Sequence, residues 1–441
     1  MREKENFQTP GSALAQHTRS TSLPTATRSP HLLLFVGRLV TSLHLRLNRS
    51  VYNATARLAA LPASNPIRGT FARCRRVPRF HHSPIHHLIA AFPIFRNDFE
   101  TIDPLRRLAP LPESALTTSI APDKDAAHAE MDRIVARGGV CIFTDGSGFE
   151  GGVGAAAVAM KNGAVGEQRQ KHLGTESEHT IFESEVCGAI LALDIIAGMP
   201  RLTDVDVFID CQPAIAALAS PKSQPGQYLL AAFHAILAHL LHARRTLQIR
   251  IHWVPAHVGI VGNETVDACA KAAAQGASSP LATRIKLFES PLPTSRAAVI
   301  AAGAKAFAAQ WREKWLMSPR HARISTFDDA TPSKALEKMY AGLSRPQCSV
   351  LTQLRTGHIG LNAYLHRFKL ALSPLSPHCG VPESVPHFLL ICPAHRIARL
   401  HLMIRVKTAH LSPCTLLSSK NDAAPVLAFV RTTGRLPRYE L

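Results

Sequence analysis

Four acidic residues stand where carboxylate chemistry could be done: Asp145 in CIFTDGSG, Glu185 in FESEVCGAILAL, Asp210 in VFIDCQPAI and Asp267 in GNETVD. Asp145 and Asp210 each close a short apolar run that reads as a strand. Glu185 and Asp267 fall in the first turns of predicted helices. If the two strands are neighbours in one sheet, their carboxylates emerge side by side at one edge. Like charges that close raise one another's pKa, so the cluster calls for a neutralising cation. Hard divalent ions with oxygen ligands, Mg2+ or Mn2+, meet that need. Two such ions about 3.5–4 Å apart would support in-line attack on a phosphodiester. By itself an Asp before Gly-Ser reads as an Asx turn that caps its own backbone.

Two ambiguities remain at the level of pattern. Glu183 competes with Glu185, because residues two apart on a helix are rotated by about 200° and only one can face the sheet edge. The stretch WVPAHVGIVGNETVD places His257 on a glycine-bearing loop, where it could move protons. Gly259 and Gly262 let that backbone turn beside a ligand, and Asn263 suits a helix cap.

The elements that must position these residues are legible in outline. The strand ending at Asp145 turns into a hairpin partner over 153–160, with a third strand near 166–173. A helix follows over 178–197, then a strand over 205–210 and helices over 213–219 and 228–243. The run 247–254 alternates by two, and a last helix spans 264–274. Hairpin strands followed by strands separated by helices imply a mixed α/β sheet with helices packed on it. Upstream, Asp123 to Val135 forms an amphipathic helix, and from Arg57 on the proline spacing excludes a long helix before about Ala121. Downstream, 279–285 is a linker and 294–370 is helical.

The chain has 441 residues, a formal charge of +19 and a pI near 10, which favours a polyanionic partner, nucleic acid ahead of an acidic membrane surface. Its nine cysteines form no C-x-x-C pair and no disulfide framework, which suits a reducing compartment, nucleus or cytoplasm. No run approaches the roughly 20 apolar residues of a membrane helix. No segment identifies a protein partner. Residues 1–54 are basic and rich in Ser, Thr and Pro, and read as a poorly ordered lead-in, or alternatively as a mitochondrial transit segment. The histidine-rich 81–87 has no frame to fix ligand geometry and reads as a solvated loop.

The blocks FTDGSG, FESEVCGAILAL, VFIDCQPAI and HVGIVGNETVD resemble, in order and spacing, the signature blocks of the type I ribonuclease H family. The resemblance implies a mixed five-stranded sheet with helices on both faces, and endonucleolytic cleavage of the RNA strand in RNA–DNA hybrids. It selects Glu185 over Glu183. It also implies that Asp145 bridges two Mg2+ ions (Mn2+ substituting), that Glu185 and Asp210 hold the ion at the leaving 3′-oxygen, and that Asp267 holds the ion presenting water. His257 would assist proton movement or product release. Gly146, Ser147, Gly148 and Asn263 would contact the hybrid, whose 2′-hydroxyls distinguish RNA from DNA. Between Asp210 and Trp253 only Lys222, Arg244, Arg245 and Arg250 are basic, so the substrate-gripping protrusion of some members is missing and binding leans on the flanks.

The flanks, RLAALPASNPI and ETIDPLRRLAPLP before and SRPQCSVLTQLRTGHIGLNAYLHRF and ESVPHFLLICPAHRIAR after, resemble those around ribonuclease H in polyproteins of non-LTR, fungal-type retrotransposons. The expected organisation is a lead-in at 1–54, a connection remnant at 55–137, ribonuclease H at 138–278, a mainly helical region at 285–400 and a tail at 401–441. No aromatic-x-Asp-Asp motif of a reverse transcriptase palm precedes residue 140. The polyprotein's zinc cluster is incomplete: Cys379, His387 and Cys392 are present, Ser376 holds the first ligand position, and His378 is a possible substitute. Three ligands would bind zinc weakly, since a closed site wants four; a collapsed helix and loop is the plainer expectation. A catalytically silent nucleic-acid-binding remnant is the alternative to an active nuclease.

Overall fold

The computed structural model describes residues 43–76, 84–104, 116–255, 261–280, 285–325, 327, 339–408 and 410–436. It divides into two compact units, one over His44–Gln310 and the other taking in Trp311–Leu441. Of the sequence expectations, His257, Gly259, most of the 1–54 lead-in and residues 81–83 lie outside the described residues, while 84–87 of the histidine-rich stretch open a helix, Pro84–Ala91, rather than a loop.

The first unit is built on a mixed sheet of six strands: β1 Leu116–Ser119, β2 Val140–Phe149, β3 Gly152–Lys161, β4 Ala164–Thr175, β5 Asp204–Ile209 and β6 Gln248–Trp253. Their spatial order is β1-β6-β5-β2-β3-β4. β2, β3 and β4 form an antiparallel meander, while β2–β5, β5–β6 and β6–β1 are parallel. The five strands expected from the sequence are present. The sixth, β1, comes from the upstream connection and pairs along β6 from Leu116↔Ile249 to Ser119↔His252.

One expectation changes here. β2 does not end at Asp145 but runs on to Phe149, and the hairpin turns at Glu150 and Gly151, both at positive φ. Two central residues at positive φ match the twist of a two-residue hairpin. What ends near Asp145 is the neighbour: β5 pairs with β2 only as far as Thr144↔Ile209, and Asp210 follows directly. The two carboxylates thus lie side by side where the parallel pairing stops.

Helices cover both faces. Ahead of the sheet come α1 Leu43–Ala59, α2 Pro66–Arg76, α3 Pro84–Ala91 and α4 Lys124–Ala136. Within and after it come α5 Ile181–Gly198, α6 Gln212–Ala219, α7 Gln227–Ala243, α8 Val261–Ala274 and α9 Arg296–Leu316. On one face Ile142, Ala157, Val207 and Ile251 pack against Ile190, Leu193, Leu218 and Phe233 of α5, α6 and α7. On the other, Phe143, Val158 and Phe208 pack against Met131 and Ile134 of α4 and Val266 and Ala270 of α8. This alternation of faces along each strand is the period of two that made the strands legible.

The poorly ordered stretch expected through residue 54 does not hold for its last twelve residues, which lie in α1. That helix has no proline within it and buries Leu45, Tyr52, Ala56 and Ala59, with the Tyr52 ring against Phe92, Phe95 and Phe307.

In the second unit, α10 Pro319–Ile324, α11 Arg345–Thr356, α12 Asn362–Arg367, α13 Arg396–Val406, α14 Pro413–Ser418 and α15 Lys420–Thr433 surround a separate core. Leu416, Leu417, Val426 and Phe429 belong to that core, so the described residues over 410–436 are part of this unit rather than a tail. Buried Glu383 accepts from the backbone N–H of Asn362 and pairs with Arg435. Among the described residues no helix is long and apolar enough to cross a membrane.

Candidate active site

Asp145, Glu185 and Asp210 come together, with one carboxylate oxygen of each within 4.8 Å of the others. β2 supplies the first and the end of β5 the third. Trp253 anchors Asp210, its indole N–H donating to the Asp210 carbonyl at 3.1 Å. Trp253 opens the WVPAHVGIVGNETVD stretch, but its bond to Asp210 follows only from the β5–β6 pairing.

Glu185 reaches the cluster from α5, which lies very close to β2. A Cβ on Gly146 would meet the backbone N of Glu185 at 2.7 Å and collide with the Ser184 hydroxyl. Gly146 is therefore demanded by close packing of helix on strand, not by a turn. Its N–H partly offsets the rise in pKa of both the Asp145 and the Glu185 carboxyls.

The contest between Glu183 and Glu185 is resolved by helix capping. Thr180 and Glu183 form a reciprocal capping box, Glu183 N to Thr180 Oγ1 at 3.2 Å and Thr180 N to Glu183 Oε2 at 2.9 Å. Glu183 is committed to starting α5, and Glu185 faces the cluster.

Burial first, and then the negative charges of Asp210 and Asp267, push the Asp145 carboxyl up to about 7. Burial, Asp210 and Asp145 hold Glu185 well above its usual range, and a hydrogen bond between the Glu185 and Asp210 carboxyls adds to the rise. Glu185 is only 4 % exposed and its Oε2 has no hydrogen-bond partner. Buried carboxylates that repel one another and keep an unpartnered oxygen suit a hard divalent cation.

Asp267, in the first half of α8, is near enough to act on Asp145 but lies outside the close triple. Its Oδ2 accepts from the Lys271 ammonium at 2.7 Å, one helical turn on. No motif singles out Lys271; its only signal in the sequence is the i,i+4 spacing from Asp267.

Two glycine-loop expectations are revised. α8 begins at Val261, so Asn263 lies inside its first turn rather than capping it, and is 8 % exposed. A Cβ on Gly262 would run into the Phe143 ring and the Met160 sulfur, so this glycine seats α8 on the sheet. Of the expected hybrid contacts, Ser147 is half-buried and Gly148 exposed beyond Asp145 on β2.

In the second unit Cys379, His387 and Cys392 also come together within 4.8 Å, with Cys379 Sγ 3.3 Å from His387 Nε2. The Ser376 hydroxyl lies 3.9 Å from Cys392 Sγ. His378 is not part of the triple; its ring lies against that of His395. The Val381 N–H, then the Ser376 hydroxyl, lower the Cys379 thiol from its usual range.

Among solved structures, this chain is similar to RNase H1 from the halophilic archaeon Halobacterium salinarum, with 21% identity over 32% of this chain and 100% of that one, at a TM-score of 0.26. The N-terminal RNase H domain of a Mycobacterium tuberculosis protein, fused to maltose-binding protein, shows 22% identity over 32% and 98%, at 0.25. LC11-RNase H1 in complex with an RNA/DNA hybrid shows 19% identity over 31% and 96%, at 0.26. No curated protein matches the chain. The RNase H family model matches residues 137–275, the stretch that holds all four carboxylates described above. The chain therefore carries a ribonuclease H domain, a hydrolase, at residues 137–275.

Proposed function

We propose that this domain cleaves the RNA strand of RNA–DNA hybrids with two divalent ions, Mg2+ by preference, and that the chain derives from a non-LTR retrotransposon. The observation that carries the activity is the close triple Asp145, Glu185 and Asp210 inside the segment that matches the family model. Asp145, Glu185 and Asp210 would hold the ions together with Asp267, whose Oδ2 takes the Lys271 ammonium and whose Oδ1 could serve an ion. The ions would supply an activated water and neutralise charge developing on the phosphodiester. The close approach of α5 to Gly146 would bring Glu185 to Asp145, and Trp253 would fix the backbone that carries Asp210. Ser147 and Gly148 present a strand edge to the hybrid backbone.

The test is cleavage of a labelled hybrid by the full chain in Mg2+, with Asp145→Asn as control. Loss of a ligand worth several kcal/mol predicts a drop of about 100-fold or more. Equal cleavage by both proteins would remove the assignment, and hybrid binding without any metal-dependent product would favour the silent remnant.

The origin is supported by the flanking segments and by the Cys379, His387 and Cys392 triple, which we propose as a weak zinc site. Substoichiometric zinc that disappears in Cys379→Ser is expected by elemental analysis; the same zinc content in both proteins would refute the site.

A further inference from the structure

Helix α5 is held at its start from two sides, and only one of them belongs to the matched family segment. On the inner side is β2, with Gly146 against Ser184 and Glu185. On the outer side are two flanking stretches, 97–103 and 294–296, which meet each other before they meet the helix. Phe99 bridges Thr294, Thr294 N–H donates to Asp98 O at 2.7 Å, and Glu100 N–H donates to Thr294 O at 3.1 Å. This pair then ties into the loop that leads to α5. Ser295 N–H donates to Glu178 O at 2.7 Å, and the Asn97 amide donates to the Glu178 carboxylate at 3.2 Å.

At the centre lies Glu100, 1 % exposed. Its Oε1 accepts from the backbone N–H of Arg296 at 2.7 Å, and its Oε2 from that of Gly226 at 2.6 Å. Gly226 precedes α7 at positive φ and packs on α5, where a Cβ would lie 3.3 Å from the Phe182 ring and 3.4 Å from Glu183 Cγ. One side chain thereby joins the upstream flank, the start of α9, the start of α7 and the first turn of α5. Gln227 reinforces the joint by exchanging two hydrogen bonds with the backbone of Asp103.

The geometry points to Glu100 as a positioning residue for Glu185: it presses the first turn of α5 toward β2 and so sets the spacing of the Asp145, Glu185 and Asp210 carboxylates. The flanks are on this view part of the metal site's support. The inference rests on the metal-dependent reading above. Removing a group that orients a metal ligand typically costs 10–100-fold in metal affinity, and that fold-change distinguishes positioning from general support of the fold.

The test uses the full chain and the variants Glu100→Ala and Glu100→Gln. Mn2+ binding is titrated without hybrid, and half-saturating Mg2+ and hybrid KM are measured separately in cleavage. The expected result is Mn2+ affinity in the order wild type, Gln, Ala, with Ala weaker by about 10-fold or more. Half-saturating Mg2+ should rise in step while hybrid KM stays unchanged. Gln falls between because its oxygen can accept one N–H while its amide faces the other donor. If Glu100→Ala does not fold by circular dichroism, Glu100→Gln and Asn97→Ala carry the comparison. Folded variants with wild-type Mn2+ affinity would overturn the inference. A wild type that binds Mn2+ but leaves hybrids intact would remove only the cleavage reading, and the Mn2+ series would still decide on Glu100.

Discussion

At the scale of single residues, the site is defined by carboxyls that the fold makes uncomfortable. Asp145 is raised from 3.8 to about 7 by burial and by its acidic neighbours. A raised acid favours the folded state fully below its unfolded pKa, and that contribution is lost as pH rises through the folded value. The metal-free protein should therefore lose stability between about pH 4 and pH 7, and divalent ions should restore more at pH 8 than at pH 5. Thermal midpoints in chelator and in Mg2+ at both pH values measure this, and an Asp145→Asn protein with the same profile would contradict it. The acids themselves were legible in the sequence because each follows an apolar run or opens a helix. Helix periodicity alone does not separate Glu185 from Glu183, and only the family resemblance chooses between them. The distinction is the capping box with Thr180, which depends on where α5 starts.

At the scale of elements, Gly-Ser-Gly after Asp145 looks like a turn and is in fact strand. Turn chemistry and close helix packing both select glycine, and sequence does not tell them apart. The structure does, and it gives Gly146→Ala a direction. The added methyl must displace the α5 backbone, at about 1–3 kcal/mol of stability, and should depress cleavage because the same shift moves Glu185. Chemical denaturation together with the hybrid assay reads both, and an Ala variant with wild-type stability would show that the helix sits further from β2. β1 was illegible for another reason. Leu116-Thr-Thr-Ser is only four residues long and gains strand character solely from pairing with β6. Asp206 shows the same dependence on partners: burial works to raise it, but His252 and Arg250 on the adjacent β6 outweigh that and hold it down at about 2.

At the scale of the whole molecule, charge and catalysis are carried by different parts of the chain. Residues 138–278 hold nine Lys and Arg against thirteen Asp and Glu, whereas the full chain holds 50 against 31. On the proposed activity, the hybrid's phosphates would be met largely by the flanks, as the sparse Lys between Asp210 and Trp253 implies. Hybrid affinity should fall steeply with salt, by about 1000-fold from 50 to 200 mM if six phosphates are contacted. Replacing Arg73 and Arg76 on α2 with Ser should flatten the log–log slope by about two. An unchanged slope in a filter-binding series would clear that helix of a role. The hydrogen bond from Arg296 to Glu100 joins residues 196 apart in sequence. During synthesis the strands and helices of the matched segment emerge well before Arg296 does, and domains commonly fold as they emerge. A ribosome-bound chain ending near residue 275 would thus own every carboxylate of the site while still lacking the bond that closes it from outside. If Glu100 positions Glu185 as proposed, the order of translation would make metal competence wait for Arg296.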